Sequence, residues 1–182
     1  VATKRRLGSG RLKRLGAGVT GYGLAVATRT LPHYLRHPHA PEIEVINGQA
    51  PACLLGPDGK PTRIFGPGEV LYRGRASMCA GSTVPFYGYG LKMFPFAGTV
   101  PGKMQLRVSN LKPLAALAHI DAIWKGSFRH PDVSDFLVEE VIVRANEKLP
   151  LQVGGDAEGY RDELRLGLAP RQIELVDFKA LA

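Results

Sequence analysis

The chain has 182 residues, 45% of them hydrophobic and 22% charged, the profile of one soluble globular domain able to bury a core and not of a disordered or fibrous segment. Its longest charge-free stretches, 15–28 and 76–91, are too short or too rich in Gly and Pro to span a bilayer as a helix. The net charge is +8, and Lys4, Arg5, Arg6, Arg11, Lys13 and Arg14 supply six of those positives within a first segment, 1–14, that holds no acid. Such a run suits an anionic surface, phospholipid headgroups or nucleic acid, through Coulomb attraction and counterion release. It reads equally as a solvated terminus. No apolar signal-peptide core follows it, and the start at Val1 without methionine reads as a fragment or a processed product. Cys53 and Cys79 lack metal-ligand spacing and are read as reduced core thiols of a cytoplasmic protein in preference to a disulfide.

The main domain is expected over 15–182. Its 22 glycines and 14 prolines leave room for short strands and few helices. A first helix is expected over 21–35, with Leu24, Ala27, Thr28, Leu31 and Leu35 near one face, Thr20 as cap and Pro32 bending or ending it. His33 and His37, four apart, could face a metal, but no third ligand follows at suitable spacing, so a polar helix end is preferred. From Glu42 the pattern alternates and meets Asn47-Gly48, which predicts a strand, a hairpin turn and a return over 50–55. Pro57-Asp58-Gly59-Lys60 turns again, and 62–65 and 69–72 continue an antiparallel meander around Gly66-Pro67-Gly68. Core strands are expected at 76–80, at 103–108 with Met104, Leu106 and Val108 on one face, at 137–143 within a longer run 133–143, and at 149–153. The spacing over 109–123 predicts a second helix, capped by Ser109 or Asn110, with Leu114, Leu117, Ala118 and Ile120 as its apolar stripe. Strands over 163–168 and 171–176 complete a mainly β, antiparallel sandwich with two or so helices.

Four stretches carry more than generic patterning. In 79–90 a strand runs into glycines flanking aromatics, Phe86-Tyr87-Gly88-Tyr89-Gly90, which suits either a packed turn or a close approach by a ligand. In 94–102, Phe94-Pro95-Phe96-Ala97 and a glycine turn precede the 103–108 strand. In 125–133, Arg129 and His130 could contact phosphate or a headgroup, or be solvated loop charges. In 149–159 an apolar strand ends at Gly154-Gly155-Asp156. A carboxylate aimed from a strand end is a candidate general base, although Asp is also common in turns for its local hydrogen bonding.

In order and spacing these stretches resemble the C-terminal domain of the diacylglycerol kinase and sphingosine kinase superfamily, and in particular its soluble bacterial YegS-like members, from Gly21 to the end of the chain. The family shows an aromatic turn N-x-x-x-Y-G-G-G, a P-x-A segment, a D-G-x-L-x-L strand, a helix, a G-x-x-x-x-P-x-V loop and a D-G-E turn. The matching residues are Phe86 to Gly90, Pro95-Phe96-Ala97, Gly102-Lys103-Met104-Gln105-Leu106, Gly126 to Val133 and Gly154-Gly155-Asp156. The resemblance implies the lipid-binding domain of an ATP-dependent lipid kinase, with ATP and Mg²⁺ held by an N-terminal nucleotide-binding domain whose Gly-Gly-Asp-Gly-Thr loop is not in this sequence. This chain alone is then expected to be inactive. The resemblance also implies a lipid hydroxyl as acceptor, of a diacylglycerol or of a sphingoid base or ceramide, and Asp156 as the base, with Gly154 where the family has aspartate. A family magnesium site would draw on the carbonyls of Gly98 and Lys103, but its carboxylate position is Pro101, and the family asparagine before the aromatic turn is replaced by Gly81-Ser82-Thr83. The expected setting is the cytoplasm with peripheral contact to an anionic membrane, and no nucleic acid. The competing reading is a non-enzymatic sandwich module for an anionic membrane or nucleic-acid surface.

Overall fold

The computed structural model describes residues 40–170, Tyr89 excepted. The basic segment 1–14, the helix expected over 21–35 with its histidines, and the strand expected over 171–176 lie outside the described residues. Nine strands and two short helices follow in the order β1 (Glu42–Asn47), β2 (Ala52–Leu55), β3 (Pro61–Phe65), β4 (Val70–Arg75), β5 (Met78–Ser82), β6 (Met104–Ser109), α1 (Pro113–Ala118), α2 (Ile120–Trp124), β7 (Val133–Val138), β8 (Glu140–Val153) and β9 (Asp156–Gly167). They form two antiparallel sheets, β4-β1-β8-β9 and β3-β2-β7-β6-β5. The chain is mainly β, as its punctuation by Gly and Pro predicts.

The layers meet because each strand has one apolar face. Ile43, Val45, Leu71 and Val141 from the first sheet pack with Ala52, Phe65, Met104, Leu106, Val108, Phe136 and Val138 from the second in one buried cluster. Phe65 and Phe136 sit edge to face, their centroids 6.1 Å apart, the arrangement the ring quadrupoles favour. Four of the sequence-based elements change on folding, three of them strands or turns. Asn47-Gly48 is not a hairpin: β1 pairs with β4 and β8, whereas β2 pairs with β3 and β7 in the other sheet. Asn47 is buried at this corner and its Nδ2 donates to the carbonyls of Ala50 and Gly66 at 2.9 and 2.8 Å. The run 137–143 likewise belongs to two strands, the chain passing from one sheet to the other at Glu139. Strand 149–153 is the outer half of β8, mostly exposed, with Val153 at 58%; only Leu149 packs against the core.

The expected helix over 109–123 is two short ones, parted at His119, whose φ of −112° and ψ of 19° are not helical. Ser109 ends β6 and Lys112 is the N-cap, without a side-chain cap bond. Leu114, Leu117 and Ala118 of α1 and Ile120, the first residue of α2, are the expected apolar stripe, but all four are exposed. The sides turned away from solvent carry Ala115, Ala116, Ala122, Ile123 and Trp124.

Strand β6 is buried along its whole length, on both faces. Its second face carries Gln105, Arg107 and Ser109. Burial there is possible because Asp135, directly opposite Arg107 in the β6–β7 register, accepts Arg107 Nε and a second guanidinium nitrogen at 2.7 and 2.8 Å. It also accepts Gln105 Nε2 at 2.7 Å. A buried guanidinium without such a partner would be prohibitive.

Candidate functional site

The four stretches that stand out in the sequence come together in two pairs. The first pair joins 79–90 to 149–159. Gly154 and Gly155 have φ of 59° and 98°, and Val153 pairs directly with Asp156, so these two glycines make the tight turn of the β8–β9 hairpin. Positive φ at both central positions gives a turn whose twist matches the strands, which is why glycine serves here. Asp156 opens β9 on the same face as Val153 and is exposed. Its carboxylate makes no hydrogen bond or ion pair among the described residues, and neither does that of Glu158 or Asp162, while Glu163 is engaged by Arg144 Nε at 2.8 Å.

Against this hairpin lies the glycine-aromatic segment. Tyr87 Oη donates to Gln152 Oε1 at 3.1 Å across 65 residues of sequence. The segment is folded on itself by Tyr87 N–H to Leu91 O at 2.9 Å and Leu91 N–H to Gly88 O at 2.9 Å. It is anchored to the body by Phe94 N–H to Pro85 O and Lys92 N–H to Trp124 O, both 3.0 Å. Val84, Phe86 and Tyr87 from the segment and Val153 and Tyr160 from the hairpin are all large, apolar or aromatic, and exposed. The carboxylate shares one face of the hairpin tip with Val153, whereas Gln152, the next residue along the strand, reaches the aromatic segment from the other face. An exposed carboxylate of this kind can act as an oxygen base.

The second pair joins 94–102 to 125–133. Arg129 lies over the Phe96 ring, 4.7 Å from its centroid, and gives Nε to Pro57 O at 2.8 Å and one terminal nitrogen to the carbonyls of Gly126 and Phe128 at 3.0 and 2.8 Å. Gly59, at φ 80°, comes so close to Phe96 that a Cβ there would lie 2.6 Å from the ring. Phe96 N–H is held by Gln105 Oε1 at 2.7 Å. Burial lowers the Arg129 pKa, Asp135 opposing and Arg107 adding to the shift. Of the two sequence readings of Arg129, a headgroup contact or a solvated charge, the geometry gives a third: it clasps three loops around Phe96. His130 stacks on the buried Phe128, centroids 5.9 Å apart, and its Nδ1 receives Asp132 N–H at 3.1 Å.

The turn between these pairs is where the resemblance puts magnesium. Gly98 and Gly102 have φ of 78° and 72°, and Lys103 N–H closes on Val100 O at 3.3 Å. The residues do not fit the ion. Pro101 offers no carboxylate, Gly98 and Lys103 offer neutral carbonyls beside an ammonium, and Lys103 Nζ is engaged with Glu139 Oε1 at 3.0 Å and with Pro51 O. Among the described residues no group of three His, Cys, Asp or Glu side chains could hold a metal, and magnesium needs anionic oxygen to offset its dehydration.

The Gln105–Arg107–Asp135 network was not singled out by sequence reasoning. Its signal was present: Asp135 directly precedes the apolar run Phe136-Leu137-Val138, and two polar residues alternate with Met104, Leu106 and Val108. Both cysteines are free thiols. No helix among the described residues is long and apolar enough to cross a membrane. No protein-family model matches the chain, and no curated protein matches it.

Proposed function

We propose that the domain is the lipid-binding, base-bearing half of an ATP-dependent lipid kinase of the diacylglycerol kinase type, with Asp156 as the general base toward a lipid hydroxyl. The observation that carries this is the Tyr87–Gln152 hydrogen bond, which sets an exposed aromatic segment beside the hairpin that presents Asp156. In this reading the alkyl part of the acceptor lies along Val153 on the Asp156 face of the hairpin, and the aromatic segment braces the hairpin from its other face. As the acceptor oxygen bonds to the γ-phosphorus of ATP, the bond from that phosphorus to the β–γ bridging oxygen breaks, ADP leaves, and the hydroxyl proton passes to the Asp156 carboxylate. The nucleotide and its magnesium belong to the partner domain that the resemblance implies, and no step is assigned to the Gly98–Lys103 turn. The domain would then work beside a membrane in the cytoplasm.

The test uses the polypeptide that carries this domain together with a nucleotide-binding domain, with phosphate transfer from ATP to a diacylglycerol in mixed micelles as the readout. Asp156→Asn keeps size and removes basicity, so turnover is expected to fall about 10²–10⁴-fold with folding unchanged. Near-normal turnover in that variant, or abolition by Glu158→Gln instead, overturns the assignment. The non-enzymatic reading, a module held on an anionic surface, is favoured by one observation, the outward apolar face of the helix pair.

A further inference from the structure

Amphipathic helices on a sandwich normally turn their apolar stripe inward. Here the stripe is reversed: Leu114, Leu117 and Ile120 are 64%, 43% and 49% exposed. The orientation is fixed by bonds that do not involve those side chains. Ser77 Oγ donates to Leu111 O at 3.1 Å, Lys92 N–H to Trp124 O at 3.0 Å, and the Ser127 and Phe128 amides to Ala122 O at 3.0 and 3.1 Å. Leu111 and Phe128, which flank the pair, are buried.

We infer that the α1–α2 face is a docking surface for an anionic phospholipid bilayer, inserting Leu114, Leu117 and Ile120 among the acyl chains at the interface. Three arguments choose this occupant. First, exposed lysines bracket the patch, Lys112 at the start of α1 and Lys125 at the end of α2, placed so that their long stems can lie along apolar surface while the ammonium meets a headgroup. Asp121, the one acid of the helix pair, engages Lys125 at 2.8 Å, so the net positive charge of the patch is that of Lys112. Second, three side chains offer on the order of a few hundred Å², well short of the roughly 800 Å² per partner that a stable protein interface buries, whereas shallow insertion needs only a few apolar tips. Third, the 39 residues preceding the described domain hold eight Lys or Arg and no acid, so the chain adds attraction to an anionic surface that the patch alone would lack.

The surface is distinct from the Asp156 hairpin, and its test needs no catalysis, so the proposal stands or falls apart from the kinase reading. The full chain is mixed with vesicles of phosphatidylcholine and phosphatidylglycerol, with pure phosphatidylcholine as the control, and bound protein is read by co-sedimentation. Binding to the anionic vesicles is expected, together with loss of binding as salt rises. Leu114→Ser and Leu117→Ser should each lower the partition coefficient by about tenfold, the transfer value of a leucine side chain, with an unchanged circular dichroism spectrum because both are exposed. Ile120→Ser gives an independent repeat should either variant misfold. Wild-type chain that ignores anionic vesicles, or binding that persists unchanged in the serine variants, overturns the proposal. Concentration-dependent dimerisation abolished by the same substitutions, without vesicle binding, also overturns it, in favour of a second copy as occupant.

Discussion

Asp135→Leu should be among the most damaging single substitutions in this domain. It strips both guanidinium contacts from Arg107, at 2.7 and 2.8 Å, and the acceptor from Gln105 Nε2, at 2.7 Å. Arg107 is 3% exposed and Gln105 0%, so water cannot take over either role. Leaving one charge of a buried pair unpaired costs about 3–5 kcal/mol, and an orphaned buried amide about 1–3 kcal/mol more. The two overlap in one network, which sets the expected loss at about 4–6 kcal/mol. Against the roughly 5–15 kcal/mol stability of an ordinary domain, that brings the fold near its limit. Urea unfolding followed by Trp124 fluorescence and circular dichroism measures it, and at an m-value of about 2 kcal/mol/M the midpoint should drop by roughly 2–3 M. The double variant Arg107→Met with Asp135→Leu removes both charges and should recover most of the loss, leaving mainly the Gln105 amide unsatisfied. A loss below about 1 kcal/mol for Asp135→Leu, or a double variant no better than the single, would refute the claim that this face of β6 is sealed from water.

Two further predictions rest on local geometry. At the hairpin tip, Gly155→Ala should destabilise by about 1–2 kcal/mol because φ is 98°. Gly154→Asn, at φ 59° with open space around it, should stay within about 0.5–1 kcal/mol of the parent, since Asn adopts this region readily; equal losses at both positions would contradict the turn assignment. Burial pushes the Cys79 thiol from 9.0 up to about 12. Between those values the unfolded chain releases a proton that the folded one keeps, so stability present below pH 9 falls as pH rises toward 12. The loss is at most about 4 kcal/mol at about 1.4 kcal/mol per unit, and less for a residue that is only half-buried. Cys79→Ala should flatten that slope, and a thiol reagent at pH 8 should modify Cys79 only on unfolding; rapid modification of the folded protein would refute the burial argument.

The sequence by itself determined the class of fold and the chemistry available at the tip of the hairpin. Glycine and proline spacing limits strand length, alternation at Met104, Leu106 and Val108 marks a core face, and paired glycines before Asp156 dictate a tight turn, because each of these depends only on backbone sterics and neighbouring residues. What the tertiary structure decided is which strand pairs with which, and which way a periodic face points. Asn47-Gly48 reads as a hairpin locally, yet the buried Asn47 amide makes it a corner between sheets, because its carbonyl partners come from 3 and 19 residues away. The run 137–143 looks like one apolar strand, and its division at Glu139 between two sheets depends on partners far along the chain. The stripe of Leu114, Leu117 and Ile120 is visible as a period, but its outward direction follows from backbone bonds to Ser77, Lys92, Ser127 and Phe128. Polar Gln105 and Arg107 read as a solvent face until Asp135, 28 residues beyond Arg107, supplies the charge that lets them be buried. Periodicity fixes which residues share a face, but burial is set by long-range partners that a local pattern does not name.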